Sequence, residues 1–155
     1  MSSVLKEQVG GDHYKQFPYQ PMTFFERYNV PFSFGNAMKY ILRYPYKNGI
    51  EDLKKALHCL KFISEVNGEG HWTNQGTCYG GKKYPITFEY KDALEFVEKN
   101  QKVIEGKSKG WFLSLCKFLL YNDFYYLRIV KVEVRNEIKR LENEHEEWNI
   151  YDKIV

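Results

Sequence analysis

The sequence has little of what identifies the commonest protein classes. Three scattered cysteines, an odd number, exclude a disulfide framework and favour a reducing compartment. A formal net charge of +3 over 155 residues excludes a strong single-signed field, and with it general nucleic-acid binding. The chain starts without the apolar segment of a signal peptide, and its most apolar run, residues 111–121, is too short to cross a membrane. We therefore expect a cytoplasmic protein with no membrane partner.

The motifs of the usual nucleotide and hydrolase sites are also missing. There is no GxxxxGK[ST] loop, no GxGxxG after a strand, no HExxH and no GxSxG. His58 and His71 have no partner at a metal-ligand spacing, so we predict no metal site. Any phosphoryl chemistry must therefore use another scaffold.

Aromatic residues, in contrast, are abundant: 13 Tyr, 11 Phe and 3 Trp. Eleven of these lie between Tyr14 and Tyr46, around the segment that contains the best candidate for a basic site. An aromatic cluster beside a few cations suggests recognition of a single nucleotide and not of a strand.

Changes of pattern divide the chain into four predicted segments. Residues 1–20, rich in Gly, Pro and Gln without a period, predict an extended arm. Residues 21–66 predict a helical domain: a short helix that Pro31 ends, then two helices whose short loop implies an antiparallel hairpin. Five glycines in 67–83 indicate a linker, and residues 84–155 predict a small second unit.

We predict that this second unit combines a helix with an antiparallel sheet. Thr87 can cap its helix. Farther along, β-branched and aromatic residues up to Val134 favour strands, with Asn122–Asp123 as a tight turn, and the residues after them favour a helix. The competing interpretation is helical, because apolar residues recur every three or four positions from Leu127 to Trp148. On the basis of composition we choose strands for the residues up to Val134, and the predicted fold class is α+β.

One face of the predicted helix at 34–44 carries side chains suited to phosphate. They recur every three or four residues: Asn36, Lys39, Tyr40 and Arg43, followed by Lys47. Arg offers a planar fork and Lys a movable point charge. The alternative is a solvated basic face, which is common on helices.

Two further pairs of residues could complete this site. Glu51 and Asp52 begin the second helix, where they either favour the positive end of its dipole or orient the basic cluster. Holding a divalent cation across the hairpin is a third possibility. In the arm, His13 and Tyr14 follow two glycines, and a flexible backbone could bring both rings over a ligand. The alternative for His13 is a structural role.

Residues 10–66 resemble a widespread bacteriophage family. Its pattern is a His-Tyr pair, Gly-Asn at a helix start, Lys-Tyr and Arg one turn apart, Lys-x-Gly, and an acidic Asp-Leu-x-Lys-Ala helix. The matching positions are His13, Tyr14, Gly35, Asn36, Lys39, Tyr40, Arg43, Lys47, Gly49, Glu51, Asp52, Leu53, Lys55 and Ala56. The family includes the phage T7 nucleotide kinase, which acts on deoxynucleoside monophosphates without a P-loop, and many members with no assigned activity. The resemblance implies a phage-encoded protein in the host cell.

Residues 86–155 are similar to small phage α+β proteins. The similarity lies in ITFEYKDALEF, in a Gly-Trp pair, and in Glu146–Glu147 before Trp148. Some proteins of that group are nucleotide sponges that sequester a signalling nucleotide of the Thoeris defence system. This resemblance implies nucleotide binding without catalysis.

The first functional hypothesis is a nucleoside monophosphate kinase. Its predicted catalytic residues are Lys39 and Arg43, which would stabilise the transferring phosphoryl group, and Asp52 or His13 as acid, base or metal-orienting group. Mg²⁺ would be a cofactor in this case alone. The predicted nucleotide-binding residues are Tyr14, Asn36, Tyr40, Lys47 and Lys55.

The alternatives use the same chain differently. A non-catalytic protein could hold a nucleotide or cyclic signalling molecule at the same cluster. An interaction module could bind a host protein through the aromatic arm or residues 111–121. We also expect a homo-oligomer, on the ground that the apolar stripe of the helix at 53–66 extends beyond what one small subunit covers.

Overall fold

The described parts of the chain fold mainly into helices. The computed structural model describes residues 3–7, 9, 11–67, 86–104 and 106–154, and within these ranges there is no strand. His71 and nearly all of the predicted linker 67–83 lie outside the described residues. The helices are α1 (Ser3–Lys6), α2 (Pro21–Arg27), α3 (Phe32–Arg43), α4 (Ile50–Val66), α5 (Tyr90–Lys99), α6 (Gly106–Tyr121) and α7 (Phe124–Ile154).

The predicted α+β fold is therefore wrong. Residues expected to form strands lie in α6 and in the first turns of α7. Leu127, Val130, Val134 and Ile138 are buried, and their spacing places them on one helix face, which packs against α4 and α6. The β propensity of branched residues spans only about 1 kcal/mol, so burial of this face outweighs it.

Asn122 and Asp123 form the turn between α6 and α7. Asn122 has a φ of 52°, a left-handed conformation that Asn tolerates better than most residues. The Asp123 carboxylate accepts the backbone N–H of Tyr125 at 2.9 Å, which caps the first turn of α7. The turn lies where the sequence predicts it, but it joins two helices and not two strands.

The helix predicted after Thr87 is present as α5, with a different N-cap. Glu89 occupies that position, and its backbone N–H donates to the Asp92 carboxylate at 2.7 Å in a reciprocal capping box. Thr87 lies in the extended segment before it, where its N–H donates to the carbonyl of Tyr28 at 3.2 Å.

Helices α3 and α4 pack against each other as the predicted antiparallel hairpin. Pro31 is the N-cap of α3. At the other end, Pro45 has no N–H, so the carbonyl of Ile41 lacks its intrahelical donor. The buried Ser108 hydroxyl of α6 donates to this carbonyl at 3.0 Å. The end of α3 is thus completed by a residue from far along the chain.

Most of the aromatic cluster is core. Of its eleven rings, only Phe32 and Tyr46 are exposed, and the rest are buried or half-buried. Phe24 lies at the centre, with ring centroids of Phe96 and Phe112 at 4.9 and 5.6 Å. The aromatic excess is explained mainly by packing and says less about a nucleotide than the sequence suggests.

The segment predicted to be an extended arm is anchored at its C-terminal end. Within it, Ser3–Lys6 form one helical turn. Asn100, fully buried, accepts the Tyr19 N–H at 3.0 Å and donates to the Tyr19 carbonyl at 2.8 Å. Phe17 is buried in the core. These contacts fix the C-terminal end of the segment that carries His13 and Tyr14.

Two surfaces invoked from the sequence are covered within the subunit. Most of the apolar stripe of α4, on which the expectation of a homo-oligomer rests, is buried, and α4 packs against α3 and α7; Leu57 and Val66 are half-buried. Most large apolar side chains of 111–121 are also buried, among them Trp111 and Phe118. None of the helices in the described ranges combines the length and apolarity needed to cross a bilayer.

Candidate functional site

A cleft of about 560 Å³ lies beside α3. It is bounded by α2, by one face of α3, by the loop after α3, and by residues of the N-terminal segment. Six of the residues predicted for the site line it: His13, Tyr14, Asn36, Lys39, Arg43 and Lys47. Tyr40, Asp52 and Lys55 are not among the lining residues; Tyr40 contacts Lys39 and Asp52 contacts Arg43.

The helical spacing of α3 explains why its polar residues meet in the cleft. Asn36, Lys39 and Arg43 follow each other at three and four residues and so share one face. Gly35 lies beside them against α2, where a Cβ would be 3.4 Å from the ring of Phe25. Glycine at this position lets the two helices approach closely.

Arg43 and Asp52 form a bidentate ion pair across the hairpin. Arg43 Nε donates to one Asp52 carboxylate oxygen at 2.8 Å, and Nη2 donates to the other at 2.6 Å. The Asp52 side chain is 0% exposed and that of Arg43 12%. Burial opposes ionisation of Asp52, but the hydrogen bonds from Arg43 outweigh it and hold the pKa of this carboxyl below its ordinary value. Asp52 therefore orients Arg43 and balances its charge.

Lys39 lines the cleft one turn before Arg43. Its Nζ donates to the Asn36 side-chain oxygen at 3.0 Å and lies 4.6 Å from the centre of the Tyr40 ring. Partial burial and then the charge of Arg43 lower the pKa of Lys39. An anion in the cleft would relieve this repulsion between cations.

Tyr40 carries cations on its ring and does not line the cleft. Arg43 Cζ lies 5.1 Å and Lys55 Nζ 6.0 Å from the ring centre. Lys55 also pairs with Glu51 one turn earlier on α4, at 2.6 Å. Tyr40 and Lys55, both predicted to bind nucleotide, are not among the residues that line the cleft, and Lys55 approaches the Tyr40 ring across the hairpin.

His13 and Tyr14 close the cleft from the N-terminal side. Their ring centroids are 4.3 Å apart. Burial and then the charges of Lys47 and Arg43 lower the pKa of His13, which favours a neutral imidazole at neutral pH. Burial raises the pKa of Tyr14 to about 12, although Arg43 opposes this shift. The two residues therefore contribute uncharged polar groups.

The sequence interpretation missed the other end of the cleft. Met22, Phe25 and Glu26 of α2 line it, together with Phe32 at the start of α3. Phe32 precedes Asn36 by four residues, so extending the polar stripe of α3 one turn backward would have found it. The buried Asn100 that anchors the arm had no local signal, because its partner is 81 residues away.

Metal ligands do not gather in the part of the chain that the structure describes. Within it, no group of three or more His, Cys, Asp or Glu side chains is placed to hold an ion. The cleft is lined by three cations, two carboxylates (Glu7 and Glu26), two amides, aromatic groups and aliphatic side chains.

Fold and cleft together define a small helical protein with a ligand-sized cleft, whose wall on α3 carries Lys39 and Arg43. The family described as a protein of unknown function (DUF3310) matches residues 9–61. That span runs from the arm into α4 and contains every residue predicted for the site. No curated protein and no solved structure matches the chain.

Proposed function

We propose that the cleft binds the phosphate of a single nucleotide without a P-loop. The observation that carries the proposal is the convergence of Lys39, Arg43 and Lys47 on a cleft of about 560 Å³ that His13 and Tyr14 close. Small-molecule sites typically enclose roughly 300–1,000 Å³, so this cleft has room for one nucleotide. The resemblance of residues 10–66 to a phage family that includes a nucleotide kinase supports the same ligand class.

The cations have different parts in this proposal. Lys39, whose pKa is lowered by burial and by Arg43, contacts the phosphate directly, because a dianion relieves the repulsion. Lys47 adds charge from the loop after α3. Arg43 is held by its ion pair with Asp52 and forms part of the cleft wall, so we assign it the role of shaping the site.

Binding without turnover fits the geometry better than phosphoryl transfer. Both Asp52 oxygens accept hydrogen bonds from Arg43, and its side chain is buried. A catalytic base must reach the substrate, whereas Asp52 is 0% exposed and is not among the residues that line the cleft. We therefore place the sequestering protein first and the kinase second, in a phage-encoded protein acting in the host cytoplasm.

Isothermal titration with mono-, di-, tri- and cyclic nucleotides tests the proposal. Lys39→Ala should weaken the best ligand about tenfold or more, since a hydrogen bond to a charged group contributes about 1.5–3 kcal/mol. Lys55→Ala is the matched control: this lysine is paired with Glu51 behind the cleft, and its loss should change affinity less than twofold.

The outcomes separate the two activities. Binding with no product in the presence of a triphosphate donor supports sequestration. Product from a deoxynucleoside monophosphate supports the kinase. Failure of every nucleotide to bind, or equal effects of Lys39→Ala and Lys55→Ala, would contradict the proposal.

A further inference from the structure

The two ends of the cleft differ in chemistry. Lys39, Arg43 and Lys47 lie toward the C-terminal end of α3, whereas Phe32 begins the helix. At 1.5 Å per residue, Phe32 and Lys39 are about 10 Å apart along the helix axis. That separation suits a ligand with an anionic group at one end and a different group one nucleoside away.

Several exposed apolar side chains line the cleft, and Phe32 at the start of α3 is the most prominent of them. Phe32 is 85% exposed, and Met22, Val4 and Val9 are also exposed and line the same cleft. Most other aromatic side chains between Tyr14 and Tyr46 pack in the core, whereas Phe32 does not. Large exposed apolar groups gathered in a concavity mark a binding surface.

Glu26 adds a carboxylate to this apolar end. It is one turn after Met22 on α2 and lines the cleft beside Phe25. A carboxylate covered by an alkyl chain would lose its hydration without gaining a partner, which is costly. A flat heterocycle with N–H groups on its edge covers the apolar surface and donates to the carboxylate as well.

We propose that this end of the cleft binds the heterocyclic base, with Phe32 stacking on its face and Glu26 accepting hydrogen bonds from N–H groups on its edge. The inference rests on the proposed phosphate site at Lys39. It places base recognition away from Tyr40, one of the predicted nucleotide-binding residues, since the Tyr40 ring carries the Lys39 ammonium group.

Calorimetry with matched ligands tests the base site. GMP against IMP and AMP against purine riboside monophosphate each differ by one amino group, and ribose 5-phosphate lacks the base. The wild type should prefer the amino-bearing member of at least one pair by about fivefold or more, and Glu26→Ala should abolish that preference. Phe32→Ser should weaken nucleotides about fivefold or more, as stacked aromatic residues do, and leave ribose 5-phosphate within twofold.

Two controls isolate these effects. Glu7→Ala removes another carboxylate that lines the cleft, so it reports the change in charge alone and should preserve the amino preference. Phe62→Ser removes an exposed phenylalanine of α4 that is not among the cleft residues described, and should change no affinity by more than twofold.

The failures of the two proposals are distinguishable. Suppose that nucleotides bind and that binding depends on Lys39. If the Phe32 variant then behaves like the Phe62 variant, and the Glu26 variant like the Glu7 variant, the base site is overturned and the phosphate site is left intact. If octyl phosphate binds as tightly as nucleotides and Phe32→Ser weakens its binding, the base site is overturned in favour of a site for an alkyl anion. If no nucleotide binds, both proposals fail.

Discussion

Arg43 and Asp52 hold the closed end of the α3–α4 hairpin through two hydrogen bonds in a largely buried setting. Such a pair adds little compared with apolar residues of the same shape, but removing one partner leaves a buried charge uncompensated. Removing either partner would also alter the cleft, because Arg43 lies in its wall.

Asp52→Asn should therefore lower the free energy of unfolding by about 3 kcal/mol at neutral pH, measured by urea denaturation. Glu51→Gln is the matched control, since Glu51 is exposed and its pair with Lys55 should contribute less than about 1 kcal/mol. The pKa of Asp52 is lowered in the folded state, so its contribution is present above the ordinary pKa of Asp and is lost as the pH falls below it. Equal losses in the two variants would contradict the account.

His13 should make ligand binding depend on pH. Burial and the charges of Lys47 and Arg43 lower the pKa of His13 in the free protein, whereas a bound phosphate opposes those charges and raises it. Binding then takes up a proton, so affinity should rise several-fold as the pH falls from about 8 to about 6.

His13→Asn separates this effect from titration of the phosphate itself, which both proteins share. The ratio of wild-type to variant affinity should increase as the pH falls. A ratio that stays constant with pH would show that His13 does not titrate with ligand.

At the level of elements, α7 shows where the sequence misleads. Tyr126, Ile129, Val132 and their neighbours have high β propensity, and a local argument assigns them to a strand. The period of burial decides otherwise: Val130 and Val134 are 0% exposed, whereas Val132 between them is 50% exposed. In a strand, residues two apart share a face, so this pattern belongs to a helix.

The same three valines give a test of the element. Val134→Ala should lower the free energy of unfolding by about 2 kcal/mol, because it removes buried methyl groups. Val132→Ala, the matched control on the exposed face, should change it by less than about 0.5 kcal/mol. A strand would make the two substitutions equivalent, so similar losses measured by urea denaturation would contradict the helix.

Local pattern was enough for α3 and α4, since each has a long apolar period and a recognisable boundary at Pro31, Pro45 or Gly49. It was also enough to place Lys39 and Arg43 on one face. The pairing of Arg43 with Asp52 was one of several alternatives, and choosing among them required the packing of two helices. Phe32 was missed because an exposed apolar residue after a proline has no distinctive local meaning.

Across the whole molecule, the described residues after 86 support the cleft without lining it. Ser108 completes the end of α3, and Asn100 anchors the arm that carries His13 and Tyr14. These contacts join segments 67 and 81 residues apart. Such contacts depend on the tertiary fold, so a local pattern in the sequence could not predict them. They also explain how a cleft lined mostly by residues of the span matched by the family depends on the rest of the chain.

The central claim is that one nucleotide lies along α3, with its phosphate near Lys39 and its base near Phe32. Mapping of backbone amide chemical shifts during titration with GMP and AMP tests it most directly. We predict that the largest changes occur in residues 32–47 and in residues 11–14, with little change in the exposed part of α7 after residue 141. Changes confined to α7, or no saturable change with either nucleotide, would contradict it.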